Sequence, residues 1–178
     1  MMEKQEKNTF KCFWPWEDLK REAWLRAMSQ QGWHLKSIGF LGLTYTFSAG
    51  EKVEYVYQLD FLTESAQKME EYLELFDAAG WEHVLSWNGW QHFRKRFEDE
   101  DKDQIFTDNQ SKIQKYKRVL MTYSLFLPTY MIVFFAKMER YPPWFATLLV
   151  TVFVLTTLYV GASVLMVALR IRQLEKEE

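Results

Sequence analysis

The sequence predicts an α+β protein: a duplicated strand-helix-strand-strand head with an antiparallel sheet, followed by a two-helix transmembrane hairpin. Three observations lead to this fold class. Two ten-residue segments match each other without a gap, the residues around them alternate between apolar and polar, and the stretch from Trp144 to Leu169 contains no charged residue. Alternation with a period of two is typical of half-buried strands. A helix of the uncharged length would measure about 39 Å, which exceeds the ~30 Å of a bilayer core.

Composition and spacing divide the chain into a head, a linker and a membrane segment. The net charge is −2, and the charged residues are concentrated before residue 119. The predicted parts are an N-terminal tail 1–7, a head 8–97 made of repeats 8–50 and 51–97, an acidic linker 98–107, a juxtamembrane helix continuous with a first transmembrane helix 108–138, a second transmembrane helix 144–172 and a C-terminal tail 173–178.

The two matching segments lie at the centre of the two repeats. Residues 24–33 read WLRAMSQQGW and residues 72–81 read YLELFDAAGW, a shift of 48 residues (81 − 33). Each predicts a helix that ends at a glycine, because glycine readily takes the left-handed conformation of a helix C′ position. The tryptophan after each glycine is expected to begin a strand.

In the first repeat, each element has its own pattern. A short alternation at Phe10, Cys12 and Trp14 predicts the first strand. A helix is predicted by apolar residues at helical spacing: Leu19, Ala23, Trp24, Ala27 and Met28. A hairpin is then expected to turn between Gly39 and Gly42 and to return through Leu43, Tyr45 and Phe47.

In the second repeat, the signals are stronger. A strand is predicted by alternate apolar residues at Val53, Tyr55, Tyr57, Leu59 and Phe61. Thr63 is the expected N-cap of a helix whose apolar stripe is Met69, Tyr72, Leu73 and Phe76. The dipeptide Asn88-Gly89 predicts a type I′ turn of a final hairpin.

The final hairpin also predicts the candidate site. A turn at Asn88-Gly89 pairs Trp87 with Trp90, Leu85 with His92, and His83 with Arg94, and side chains alternate across a sheet. One face would then carry aromatic rings beside titratable groups: Trp81, His83, Trp87, Trp90, His92 and Arg94. Such a face suits a small amphipathic ligand. The alternative is that the tryptophans form core and the histidines lie at its edge.

Other kinds of site have little support in the sequence. There is no nucleophile motif, phosphate loop or dinucleotide fingerprint, so neither an enzyme nor a cofactor is expected. The three histidines and the single Cys12 lack metal-ligand spacing, so no metal is expected either. Glu54, Asp60 and Glu64 are carboxylates with no partner visible in the sequence. A net charge of −2 does not favour nucleic acid as a partner.

Charge around the apolar stretches predicts the topology. Basic residues flank the two predicted spans, at Lys112, Lys115, Lys117 and Arg118 before the first and at Arg170, Arg172 and Lys176 after the second. The only basic residues between the two predicted spans are Lys137 and Arg140. Because basic flanks stay in the cytoplasm, we expect a multi-pass protein of the cell membrane with both termini inside. The first four basic residues are expected to contact anionic lipid headgroups.

Four segments resemble an uncharacterised bacterial membrane-protein family: WLRAMSQQGWHL, YVYQLDF, GWEHVLSWNGWQHFRK and IFTDNQSKIQKYKRVL. Genes of that family often lie beside those of PadR-type regulators, so the resemblance implies a membrane location and a regulatory context. The order of elements in the head also resembles gyrase-inhibitor-type effector-binding domains, which bind amphipathic molecules between their two halves. Neither resemblance assigns a functional residue, because fold alone does not establish function.

Two functions therefore remain open. The first is a non-enzymatic membrane-anchored sensor or regulator whose cytoplasmic head binds a small amphipathic ligand in an aromatic groove. The second is a protein-interaction module that docks a regulator or transporter at the membrane. The expected partners are the lipid bilayer, the ligand, and a protein partner or a second copy of the chain. An open groove would favour the sensor, and a filled core would favour the docking module.

Overall fold

The computed structural model describes residues 5–62, 66–98, 109–135 and 141–176. The chain forms two compact units, residues 1–107 and 108–178. The first contains β1 (Glu6–Phe10), α1 (Asp18–Gln30), β2 (Trp33–Ile38), β3 (Thr44–Ala49), β4 (Tyr55–Phe61), α2 (Ala66–Ala78), β5 (Glu82–Trp87) and β6 (Trp90–Arg96). The second contains α3 (Asn109–Phe135) and α4 (Pro143–Lys176). The α+β class is therefore confirmed for the head.

The strands of the head form two sheets, where the sequence predicted one. Each sheet has three antiparallel strands, in the orders β1-β3-β2 and β4-β6-β5. In both halves the first strand pairs with the third, and the helix follows the first strand. The prediction of one antiparallel sheet was wrong, because the strands of each half form hydrogen-bonded ladders only with one another.

Two hydrophobic cores hold the first unit together. The smaller core joins α2 to one face of the second sheet through Val56, Phe76, Trp81 and Phe93. The larger core contains Leu25 and Met28 of α1, Tyr45 and Phe47 of β3, Leu35 of β2 and Tyr57 of β4. Val84 and Leu85 of β5 also pack against this larger core. The larger core therefore contains residues from both halves of the head.

Helix α1 satisfies backbone groups on the open edge of β4. Glu22 Oε1 accepts a hydrogen bond from the Leu59 backbone N–H at 2.7 Å, and Ser29 Oγ accepts one from the Tyr55 N–H at 3.0 Å. Arg26 Nε also donates to Glu54 Oε1 at 2.6 Å, just before the strand. An exposed strand edge is open to pairing with other chains. These side chains close that edge and attach the first half of the head to the second.

The two halves correspond closely in position along the chain. A shift of 48 residues superimposes the bounds of α1 on those of α2. The same shift relates the two irregularities in strand pairing, one between Leu35 and Ser37 and the other between His83 and Leu85. The prediction of a first strand at Phe10, Cys12 and Trp14 was wrong, because β1 ends at Phe10.

The predicted turns are confirmed by the backbone. Asn88 and Gly89 have φ angles of 48° and 84°, as a type I′ turn requires at both central residues. Gly32 and Gly80, at φ 84° and 80°, end the two helices in the left-handed conformation. Trp33 begins β2 as expected, whereas Trp81 lies one residue before β5. The expected N-cap Thr63 lies outside the described residues.

The second unit is a pair of packed helices. Ile113, Tyr116 and Val119 of α3 are buried, as are Val167, Ile171 and Leu174 of α4. The early part of one helix therefore packs against the late part of the other, so the two helices are antiparallel. By length and composition, α4 could span a membrane, with a mean hydropathy of 2.3 over its best window.

The described residues contain one such membrane helix, where the sequence predicted two. The side chains of residues 125–135 lie outside the described part of the chain, as do residues 136–140. The first half of the predicted transmembrane hairpin therefore has no support from the structure.

Removing the carboxylate that closes β4 should destabilise the head. We expect Glu22→Ala to lower the free energy of unfolding by about 1–3 kcal/mol, because the Leu59 N–H would lose its acceptor. Glu22→Gln keeps an acceptor oxygen and should cost less. Thermal unfolding of the full chain followed by tryptophan fluorescence measures this, since seven of the eight tryptophans precede residue 91. Equal stabilities of the alanine variant and a Glu74→Ala control would contradict the role of Glu22.

Candidate functional site

The six residues of the predicted ligand face do not share one face. Trp81 packs against Phe76 and Phe93 on the side of α2, where it is 4% exposed. His83 lies on the same side, with its ring 5.4 Å from that of Phe93 and its Nε2 hydrogen-bonded to Gln91 Oε1 at 3.1 Å. These two side chains belong to the smaller core and its edge.

A β-bulge explains why His83 differs from its predicted position. The pairs Trp87–Trp90 and Leu85–His92 are confirmed, but His83 pairs with Phe93, and Glu82 pairs with Arg94. Val84 is the additional residue. An extra residue in one strand changes the face of the side chains beyond it. The predicted pair His83–Arg94 was therefore wrong, and no sequence signal marks the bulge.

The opposite face of the second sheet carries Trp90, His92 and Arg94, which pair with Phe61, Leu59 and Tyr57 of β4. Trp90 is 3% exposed and His92 is fully buried. Arg94 forms two hydrogen bonds with the carboxylate of Glu82, at 2.6 and 2.7 Å, and its guanidinium lies 4.7 Å from the centroid of the Tyr55 ring. Its charge is thus neutralised by its cross-strand neighbour.

Trp87 lies at the turn and connects the two halves. Its indole Nε1 donates to the Gly39 carbonyl at 3.1 Å. Its ring lies against Gly42, where a β-carbon would overlap it. The tip of the first hairpin is therefore supported by the tip of the second. Of the six predicted residues, Trp87, Trp90, His92 and Arg94 share one face of the second sheet, whereas Trp81 and His83 lie on the other.

Sequence reasoning missed Arg21, the buried cation of this region. It is 3% exposed, and its guanidinium carbon lies 5.6 Å from the Phe13 ring centroid and 5.4 Å from that of Trp90. Its Nε and Nη1 have no hydrogen-bond partner among the described residues. The available signal was its spacing, since Arg21 precedes the core residues Leu25 and Met28 on one helical face. Stacking between two rings is a favourable setting for a guanidinium.

His92 is held neutral beside this cation. Burial, followed by the positive charge of Arg21, lowers the pKa of His92 from its ordinary value to about 3. Burial also raises the pKa of Tyr45 in the same core. A neutral imidazole can donate and accept hydrogen bonds, but this one is enclosed by packed side chains. The arrangement is that of a polar group inside a filled core.

Two of the carboxylates noted in the sequence have structural partners. Asp60 is 1% exposed, and its oxygens accept hydrogen bonds from the Phe61 N–H at 2.8 Å and the Tyr72 hydroxyl at 2.6 Å. Its contact with Tyr72 attaches α2 to β4. The Arg26 side chain lowers the pKa of Glu54. Glu64 lies outside the described residues. Among the residues described, no three His, Cys, Asp or Glu side chains cluster as a metal would need.

The predicted membrane-surface residues lie on the first turns of α3. Lys117 is exposed, and Lys112 and Arg118 are partly buried. Lys115 is 4% exposed, and its ammonium lies 5.1 Å from the ring centroid of Tyr116. Contact with lipid headgroups therefore remains a prediction for the four basic residues, and Lys117 is the most accessible of them.

Comparison with protein families identifies the family to which the chain belongs. A family model described as a protein of unknown function, DUF2812, matches residues 17–128. The chain belongs to the DUF2812 family. The match begins one residue before α1 and ends within α3, so the DUF2812 region includes the three histidine-bearing strands β2, β5 and β6 and excludes α4. No curated protein and no solved structure matches the chain.

The DUF2812 region contains most of the structural features described above. Glu22, Arg21 and the second sheet fall inside residues 17–128, whereas β1 and Phe13 precede that range. One of the two rings that enclose Arg21 is thus contributed from outside the matched region. The family description names no activity and adds no functional residue.

The pKa of His92 predicts an acid-sensitive head. The unfolded chain binds this proton with a pKa near 6.5, whereas folded His92 stays neutral to about pH 3, so protons favour the unfolded state below pH 6.5. The free energy of unfolding should fall by about 2 kcal/mol between pH 6.5 and 5. Tryptophan-monitored unfolding of the full chain measures it. His92→Gln should remove most of this slope and His34→Gln should not; an unchanged slope in His92→Gln would refute the assignment.

Proposed function

We propose that this DUF2812 protein is a membrane-anchored, non-enzymatic docking module whose α+β head binds a regulator or transporter protein. The observation that carries the proposal is the burial of the aromatic face. Trp81, Trp90 and His92 are at most 4% exposed and lie in packed cores. A filled core between the halves supports recognition through the outer surface of the head.

Helix α2 provides a surface suited to docking. Its inner face packs on the second sheet, and its outer face carries exposed carboxylates around a leucine that is 67% exposed: Glu70, Glu71, Glu74 and Asp77 around Leu75. An apolar side chain surrounded by charge is a common arrangement at protein interfaces. The partner expected from this chemistry is a protein with a basic surface.

The anchor in this proposal is α4, preceded by a first span in α3. The basic residues at both ends of the predicted hairpin support a multi-pass protein with both termini in the cytoplasm. The corresponding lengths and bulges of the two halves support an origin of the head by duplication. The neighbouring PadR-type genes implied by the resemblance would make the docked protein a regulator.

Binding of a small amphipathic ligand is the second candidate function. The observation in its favour is Arg21, a buried guanidinium whose Nε and Nη1 have no partner among the described residues. With Phe13 and Trp90 on either side, it would suit a ligand with a carboxylate and an apolar body. Such a ligand would have to displace packed side chains to reach it.

Photocrosslinking in native membranes should test the docking module. We expect a benzophenone amino acid at Leu75 to form a protein adduct that charge reversal at Glu70, Glu71 and Glu74 abolishes. Leu19 of α1 is a matched control, since it is a leucine 53% exposed on the other helix. An adduct equally strong at both positions, or one insensitive to the charge reversal, would contradict the proposal. Quenching of tryptophan by anionic amphiphiles that is lost in Arg21→Met would favour the ligand instead.

The single native cysteine provides a direct test of orientation. Cys12 is exposed and free, so a head in the cytoplasm should react with a membrane-permeant maleimide in intact cells. An impermeant maleimide should label it only after the cells are permeabilised. Labelling of intact cells by the impermeant reagent would show that the N-terminus is outside. A Cys12→Ser variant serves as the blank for both reagents.

A further inference from the structure

The tip of the first hairpin presents large apolar side chains to solvent. Phe40 is 95% exposed and Leu41 is 73% exposed, and Phe10, at the adjoining end of β1, is 72% exposed. We call Phe10, Phe40 and Leu41 the tip patch. Its three members come from two segments that the sheet brings side by side, since Phe10 pairs with Thr44. A cluster of this kind on a soluble surface marks an interaction site.

The backbone prevents the tip patch from folding inward. The Gly39 N–H donates to the Thr44 carbonyl and the Gly42 N–H to the Gly39 carbonyl, both at 2.8 Å. Gly42 has a φ of 69°, and Trp87 packs against it from behind. The Lys11 N–H, next to Phe10, donates to the Leu43 carbonyl at 2.9 Å. The exposure of Phe40 and Leu41 is therefore built into a rigid turn.

The charge around the tip patch is positive. Lys11 adjoins Phe10, and residues 7–16 and 37–50 contain Lys7 and Lys11 and no aspartate or glutamate, whereas Lys36, farther along β2, is paired with Glu6. The supporting turn at residues 87–89 also contains no charge. This stands in contrast to the acidic outer face of α2. Aromatic and leucine side chains beside lysine are suited to the interface of an anionic bilayer, where apolar groups insert and lysine meets the headgroups.

The head is also confined near a membrane if α4 is the anchor. Residues 98–108 join the head to α3, and a chain of that length spans at most about 40 Å. Such tethering strengthens the binding of a weakly inserting patch. Once α4 is in the bilayer, contact between the patch and the same bilayer is intramolecular. We propose that the tip patch inserts into the interfacial region of an anionic membrane. This inference rests on the proposed function only in taking α4 as the membrane anchor.

Lipid-borne quenchers can test the proposal on the full chain in vesicles. Cys12 is exposed and follows Lys11, so a fluorophore on this native cysteine reports on the tip. In vesicles containing phosphatidylserine and a headgroup-level quenching lipid, we expect strong quenching at Cys12. Quenching should be weak for a Cys12→Ser/Leu75→Cys protein labelled on α2. Phe40→Ser/Leu41→Ser should reduce quenching at Cys12 at least twofold, whereas Leu19→Ser should leave it unchanged.

Vesicle flotation separates failure of the tip proposal from failure of the anchor. If the chain floats with vesicles but Cys12 is unquenched, the anchor stands and the tip proposal is overturned. If Cys12 is shielded from solvent without lipid quenching, and the shielding grows with protein density, the patch binds a second copy and the proposal is likewise overturned. A chain that does not float overturns the anchor and with it the inference. Tryptophan-monitored unfolding verifies that the serine variants are folded.

Discussion

The closed edge of β4 is the interaction on which the architecture of the head depends. Glu22 and Ser29, one on an early and one on the last turn of α1, accept hydrogen bonds from backbone groups of this strand. With those groups satisfied by side chains, β4 cannot extend its sheet by pairing with a further strand. The second sheet therefore ends at β4 on this side, and α1 of the first half becomes part of the packing of the second.

This sharing of α1 explains why the aromatic residues are enclosed. The helix contributes Leu25 and Met28 to a core that also contains Tyr45 and Tyr57, and it holds Arg21 against Trp90. With α2 on the other face, the second sheet has packed side chains on both sides. In the proposed docking module, the partner would therefore bind the outer surfaces of the head.

The outer surfaces differ in charge, which fits the two partners proposed above, a basic protein surface and an anionic membrane. The outer face of α2 is acidic around Leu75, whereas the tip patch adjoins Lys11 and uncharged residues. Because the outer face of α2 and the tip patch carry charge of opposite sign, they favour different partners, and each disfavours binding of the other's partner. Both surfaces are on elements with firm internal support, so neither must become ordered when it binds.

Local patterns alone determined the element types, the two helix-ending glycines, the Asn88-Gly89 turn and the apolar length of α4, because each depends on neighbours in the chain. The 48-residue match also predicted the order of elements in both halves. Only the tertiary structure decided the split into two sheets, the bulge at Val84 and the burial of Arg21 and His92. These features depend on contacts between residues far apart in sequence. Examples are the hydrogen bond between Glu22 and the Leu59 N–H and the packing of one face of the second sheet against α2.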